Sequence, residues 1–108
     1  MNVPPTSERL VKLQELCDKD PSKSFTRYGI AMELKSLGRR DEAIQVFLGL
    51  IESDPDYVMA YQHGGYLLRE ANRTDEARIL FERGISVARK VNNSKALAEI
   101  EDALDDLD

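Results

Sequence analysis

His63 is the only histidine and Cys17 the only cysteine in the 108-residue chain. His63 is followed by Gly64-Gly65, a run that in hydrolases can open an oxyanion loop. That chemistry needs a Ser nucleophile on a strand-turn-helix elbow, and the sequence offers none. A lone His without Cys or His partners at ligand spacing does not make a metal site. His63 therefore reads as a groove or surface residue on a helix. Cys17 stands among Leu13, Leu16 and Asp18 with no basic neighbour to activate it, so it reads as a buried structural thiol. Carboxylates are plentiful, but they fall on solvated helix faces. No nucleophile-base pair, phosphate loop or zinc pattern is present. The expectation is a protein without catalytic activity and without a cofactor.

Composition and charge bound the partners. The net charge is −5. The last ten residues hold Glu99, Glu101, Asp102, Asp105, Asp106 and Asp108 and no base, a net −6 that leaves the rest near +1. An acidic end on a near-neutral body argues against nucleic acid and anionic membranes, which require clustered Lys and Arg. Met1 to Thr6 lacks a secretory pattern, and no apolar run reaches the ~18 residues a span needs. A single Cys fits a reducing compartment, so a cytoplasmic location is expected.

The elements that would position these residues follow from self-similarity. Shifted by 34 residues, Asp20-Pro21 falls on Asp54-Pro55, Leu34 on Leu68, Arg39 on Arg73, Asp41-Glu42-Ala43 on Asp75-Glu76-Ala77, Phe47 on Phe81 and Ile51 on Ile85. Each unit reads as two helices. In the first, Ser22 or Ser24 can cap the start, and Phe25, Tyr28, Ile30, Ala31, Leu34 and Leu37 recur at helical spacing. Gly38 suits the left-handed residue that ends a helix, and Asn72 meets the same demand in the second unit. Asp41-Glu42 and Asp75-Glu76 then suit the positive end of the next helix. The second helices carry Ala43, Ile44, Phe47, Leu50 and Ile51, and Ala77, Leu80, Phe81, Gly84, Ile85 and Ala88. Asp-Pro closes a unit.

An earlier helix carries Leu10, Leu13, Leu16 and Cys17, half a repeat without its partner. After an Asn92-Asn93-Ser94 break, a last helix carries Leu97, Ile100, Leu104 and Leu107. Terminal helices are needed to cover a stack. The fold class is all-α, organised as an N-terminal segment and half-repeat helix (1–21), two units (22–55 and 56–91) and an acidic C-terminal capping helix (92–108).

The period, the Asp-Glu-Ala after the turn, the Phe four residues beyond that Ala and the closing Asp-Pro resemble the tetratricopeptide repeat family, here its short stand-alone bacterial type. The resemblance covers about residues 20 to 91. It implies a right-handed stack of antiparallel helix pairs, an α-solenoid whose first helices line a groove for another protein or peptide. Carried onto this sequence, the groove positions are Phe25, Tyr28, Met32, Lys35 and Ser36, then Met59, Gln62, Tyr66, Arg69 and Glu70. Aromatic and Met side chains are common interface anchors. Lys35 and Arg69 could meet acidic groups. The family's clamp for a C-terminal carboxylate uses Lys and Asn, where this chain has Tyr28, Met32 and His63, so that clamp is not expected. Gly64 replaces an expected core Leu, and paired helical glycines cost ~1 kcal/mol each against Ala, so a large neighbour packed on bare backbone is expected to compensate. Gly84 stands opposite Leu50 of the first unit, so the repeats should not pack identically. The alternative to an adaptor is a self-associating protein, a homodimer through the last helix or the groove, if the stripe on that helix stays uncovered.

Overall fold

The computed structural model describes residues 3–107. Their regular structure is six α-helices: α1 Glu8–Lys19, α2 Ser24–Ser36, α3 Arg40–Ser53, α4 Val58–Glu70, α5 Thr74–Lys90 and α6 Ser94–Asp105. Each helix packs on its successor, and α6 also reaches back to α4. The result is an all-α helical repeat stack. Its radius of gyration, 14.1 Å, exceeds the ~13 Å of a compact chain of about this length, as stacking in one direction requires.

Two kinds of turn join the helices. After α2, Gly38 takes φ +76° and the Arg39 N–H donates to Leu34 O at 2.9 Å. After α4, Asn72 takes φ 61° and Arg73 N donates to Leu68 O at 2.9 Å. This six-to-one bond is the Schellman closure, and it needs a left-handed residue that Gly or Asn accepts at little cost. The third instance is Asn92, φ 58°, with Asn93 N donating to Ala88 O at 2.9 Å. The asparagine cluster is therefore not a break but the same turn again. Asn93 then caps α6 by accepting from Ala96 N at 3.0 Å. The second kind of turn follows Asp20 and Asp54, where Pro follows a non-helical Asp.

Helix starts differ from expectation at one place. Neither Ser22 nor Ser24 caps α2, whose N-cap Lys23 has no side-chain cap bond. Asp20 captures Ser22 instead, accepting from its backbone N–H at 3.1 Å and its hydroxyl at 2.5 Å. Ser24 Oγ donates to Asp54 Oδ2 at 2.6 Å and so ties the start of α2 to the end of α3 within the first unit. Helices α3 and α5 begin alike: Arg39 pairs with Glu42 at 2.5 Å and Arg73 with Glu76 at 2.6 Å. Hydrogen bonds from these arginines hold both carboxyls below the ordinary glutamate value.

Phe47, Phe81, Ala43 and Ala77, which coincide under the 34-residue shift, are all fully buried. The glycine pair is compensated as expected. A Cβ on Gly65 would lie 2.3 Å from the Phe81 ring, and one on Gly64 would meet Leu80 at 3.0 Å and Phe47 at 3.3 Å. Gly84 makes room for Tyr61, whose Cβ would be 2.8 Å from an added Cβ. Tyr61 in turn donates its hydroxyl to Pro55 O at 2.6 Å.

The terminal helices behave differently from each other. On α6, Ile100 is fully buried, Ala96 and Ala103 are buried, and Leu97, Leu104 and Leu107 pack against the core. The last helix covers its own chain. On α1, Leu10 is buried and Leu13 and Cys17 pack on the core, but Leu16 is 54% exposed and Val11 is exposed too. The expected face is thus narrower than Leu10-Leu13-Leu16-Cys17, because α1 packs principally on α2. Cys17 is half-buried rather than fully buried, and free.

Candidate functional site

The first helix of each pair, α2 and α4, presents a chain of aromatic rings. Tyr28 lies 6.5 Å from Phe25, 5.6 Å from Tyr57 and 5.8 Å from His63. His63 stacks near Phe47 and meets Tyr66 edge-on at 5.6 Å, and Tyr66 meets Phe81 at 5.9 Å. Phe47 and Phe81 are core residues, so the strip is anchored from beneath while Tyr28, His63 and Tyr66 stay half-buried. Such partly covered rings combine apolar area with a polar tip, the composition of interaction surfaces.

Two cations flank the strip in the last turns of α2 and α4, Lys35 and Arg69. Among the described residues neither is within ion-pair distance of a carboxylate. Arg69 instead lies 5.3 Å above the Tyr66 ring, a cation–π position. Of the remaining groove residues expected from sequence, Met32 and Met59 are half-buried and packed on the core. Phe25 is 77% exposed. Ser36 and Glu70 are exposed.

Gln62 is a correction: it is buried, at 2% exposure. Its Nε2 donates to Tyr66 Oη at 2.8 Å and to Glu99 Oε2 at 2.5 Å, while Oε1 finds no partner. It lies beneath the surface rather than on it, because Glu99 of α6 closes over it. A cleft of about 270 Å³ lies between α4 and α6, bordered by Tyr66, Arg69, Glu99, Asp102, Ala103 and Asp106. The 34-residue shift does not reveal this acidic wall. α6 starts 36 residues after α4, whereas α4 starts 34 after α2, so a fixed shift misaligns the third inner helix. The signal available was the left-handed Asn92, which repeats Gly38 and Asn72.

His63 sits at the centre of the ring cluster. Burial, then the nearby Lys35 charge, push its pKa below 6.5, and Glu99 only partly opposes this. As pH falls through 6.5, the unfolded chain takes up a proton before the folded one. Stability from this group is therefore full above 6.5 and declines as pH drops toward the folded pKa. The melting temperature is expected to fall between about pH 7.5 and pH 5.5, and His63→Phe is expected to flatten that slope. An unchanged slope in the variant would assign the effect elsewhere. Asp20, Glu42 and Glu76, whose pKa values are lowered, act at lower pH.

Among the described residues no group of three or more His, Cys, Asp or Glu could hold a metal ion, and no helix is long and apolar enough to cross a membrane. The tetratricopeptide repeat model matches residues 26–57. The solution structure of a tetratricopeptide repeat domain protein from Salinibacter ruber is 39% identical, covers 82% of this chain and 90% of its own, and superposes with a TM-score of 0.78. This chain belongs to the tetratricopeptide repeat family. More distant tetratricopeptide-type folds are also similar. The TPR2B domain of yeast Sti1 in its pHsp70 complex has a TM-score of 0.85 at 21% identity, with 91% of this chain and 78% of that one covered. PcrH in complex with the chaperone binding region of PopD has a TM-score of 0.85 at 18% identity, with 91% and 74% covered. No curated protein matches the sequence.

Proposed function

We propose that this tetratricopeptide repeat protein is a non-catalytic adaptor that binds another protein or peptide along the inner face of α2, α4 and α6. One observation carries the reading: the half-buried strip Tyr28–His63–Tyr66, seated on core rings and flanked by the unpaired Lys35 and Arg69. An apolar surface rimmed by polar groups is how soluble chains mark an interaction site. The complexes formed by Sti1 and PcrH, on the same fold, support it. Phe25, Tyr28, Met32, Lys35, Met59, Tyr66 and Arg69 are the proposed contacts, with Gln62 in support. The repeats span 22–55 and 56–91, and the free Cys17 fits a cytoplasmic setting.

The test is the double variant Tyr28→Ala with Tyr66→Ala. Each ring is half-buried, so the stability loss is about 1 kcal/mol apiece, roughly half that of a fully buried side chain. Both variant and wild type should melt cooperatively. Peptides selected on the wild type from a random display library should bind the variant at least about tenfold more weakly, a loss of ~1.4 kcal/mol. Undiminished binding would remove the groove from consideration.

A second reading, self-association, draws on α1, where Val11 and Leu16 remain exposed. The mass of the chain in solution separates the two.

A further inference from the structure

We infer that the cleft between α4 and α6 receives a basic side chain of the partner peptide, beside an apolar residue seated on the Tyr28–His63–Tyr66 strip. The inference rests on the groove reading above and adds the chemistry of the guest.

Glu99 and Asp102 on α6 and Asp106 at its C-cap, whose backbone is still helical, stand at i, i+3 and i+7, so one face carries all three, and that face borders the cleft opposite Tyr66. Like charges at these spacings repel within a helix. Nothing among the described residues discharges them fully. Asp102 and Asp106 have no ion-pair or side-chain hydrogen-bond partner among the described residues. Lys95 stands 4.0 Å from Glu99 on a largely exposed side chain, where such a pair contributes little.

Arg69 is the one cation among the residues bordering the cleft, and it lies over the Tyr66 ring, outside ion-pair distance of the three acids. Three carboxylates against one guanidinium leave the cleft negative. Gln62 adds an independent feature. Its buried amide grips Glu99 Oε2 and Tyr66 Oη together, so the acid and the ring are fixed relative to each other before any guest arrives. A preorganised carboxylate wall beside an aromatic shelf is complementary to Lys or Arg carried next to an apolar anchor.

The experiment pans a random-peptide phage library on the full chain and on Asp102→Asn with Asp106→Asn. Both residues are exposed, so circular dichroism of the variant should match the wild type. Wild-type selections are expected to enrich Lys or Arg adjacent to an aliphatic or aromatic residue. The variant is expected to lose that enrichment and to bind the selected peptide about tenfold more weakly, the scale of one charge-assisted hydrogen bond. Enrichment of acidic or uncharged peptides on the wild type would overturn this inference and keep the groove. Basic enrichment surviving in the variant would overturn it too, by placing the contact elsewhere. Selections no different from bare support would overturn both the guest and the groove.

Discussion

Gly65→Ala is expected to destabilise the protein by about 2 kcal/mol, although the same change in an exposed helix gains up to ~1 kcal/mol. The reversal comes from Phe81. An alanine Cβ would lie 2.3, 2.7 and 2.8 Å from three atoms of that ring. The ring is fully buried, with Tyr66 at 5.9 Å, so it has nowhere to retreat without moving the strip above it. Overpacking of this kind costs about 1–3 kcal/mol, the contact is tight enough to fall at the upper end, and the ~1 kcal/mol helix-propensity gain offsets part of it to leave about 2 kcal/mol. For a domain this size the melting temperature should drop by roughly 8–16 °C. Phe81→Leu supplies the control. In that background the added methyl has room, and Gly65→Ala should become neutral or stabilising, a coupling of about 2 kcal/mol or more between the sites. Additive melting shifts would show that Gly65 and Phe81 are not in contact and that the groove floor is built differently.

That pair also shows how far the sequence could be read. Helical glycines at 64 and 65 announce a cost, and the 34-residue shift aligns Phe81 with Phe47. A large residue lying on bare backbone could therefore be expected, though not which one. The inner turns were legible for a simpler reason: a left-handed residue admits few side chains, so Gly38 and Asn72 identify one another. Asn92 met the same demand but escaped, because it joins α5 to α6, where the 34-residue shift leads back to the Asp-Pro connection between α3 and α4 and not to Gly38 or Asn72. The 36-residue offset of α6 from α4 hid the burial of Gln62. Periodicity assigns a residue to a face, and whether that face is covered depends on a helix from elsewhere in the chain. Ser22 failed as a cap because Asp20, two residues before it, binds the same backbone N–H and hydroxyl. Local side-chain bonds of similar strength compete, and sequence alone does not rank them.

Ending the chain at Asn93 is expected to lower the melting temperature by at least about 10 °C while leaving the mass that of a monomer. Ile100 alone accounts for much of this. It is fully buried and its Cδ1 lies 3.2 Å from where a Cβ on Gly84 would stand. Removing a side chain so placed costs about 2–5 kcal/mol, and each kcal/mol moves the transition by roughly 4–8 °C. Truncation also takes away Ala96 and Ala103, and it strips Gln62 Nε2 of its bond to Glu99. Ile100→Ala in the full chain should reproduce a large part of the loss without shortening anything. Light scattering on the same samples adds the discriminating datum. A full-length monomer that is destabilised by truncation makes α6 a cap on its own chain and leaves the inner face free for a partner. A full-length dimer that falls to monomers without α6 would mean that the helix joins two copies, and self-association would replace the adaptor as the better account. An unchanged melting temperature would contradict the packing of Ile100 on the second repeat, and with it the acidic wall that α6 contributes to the groove.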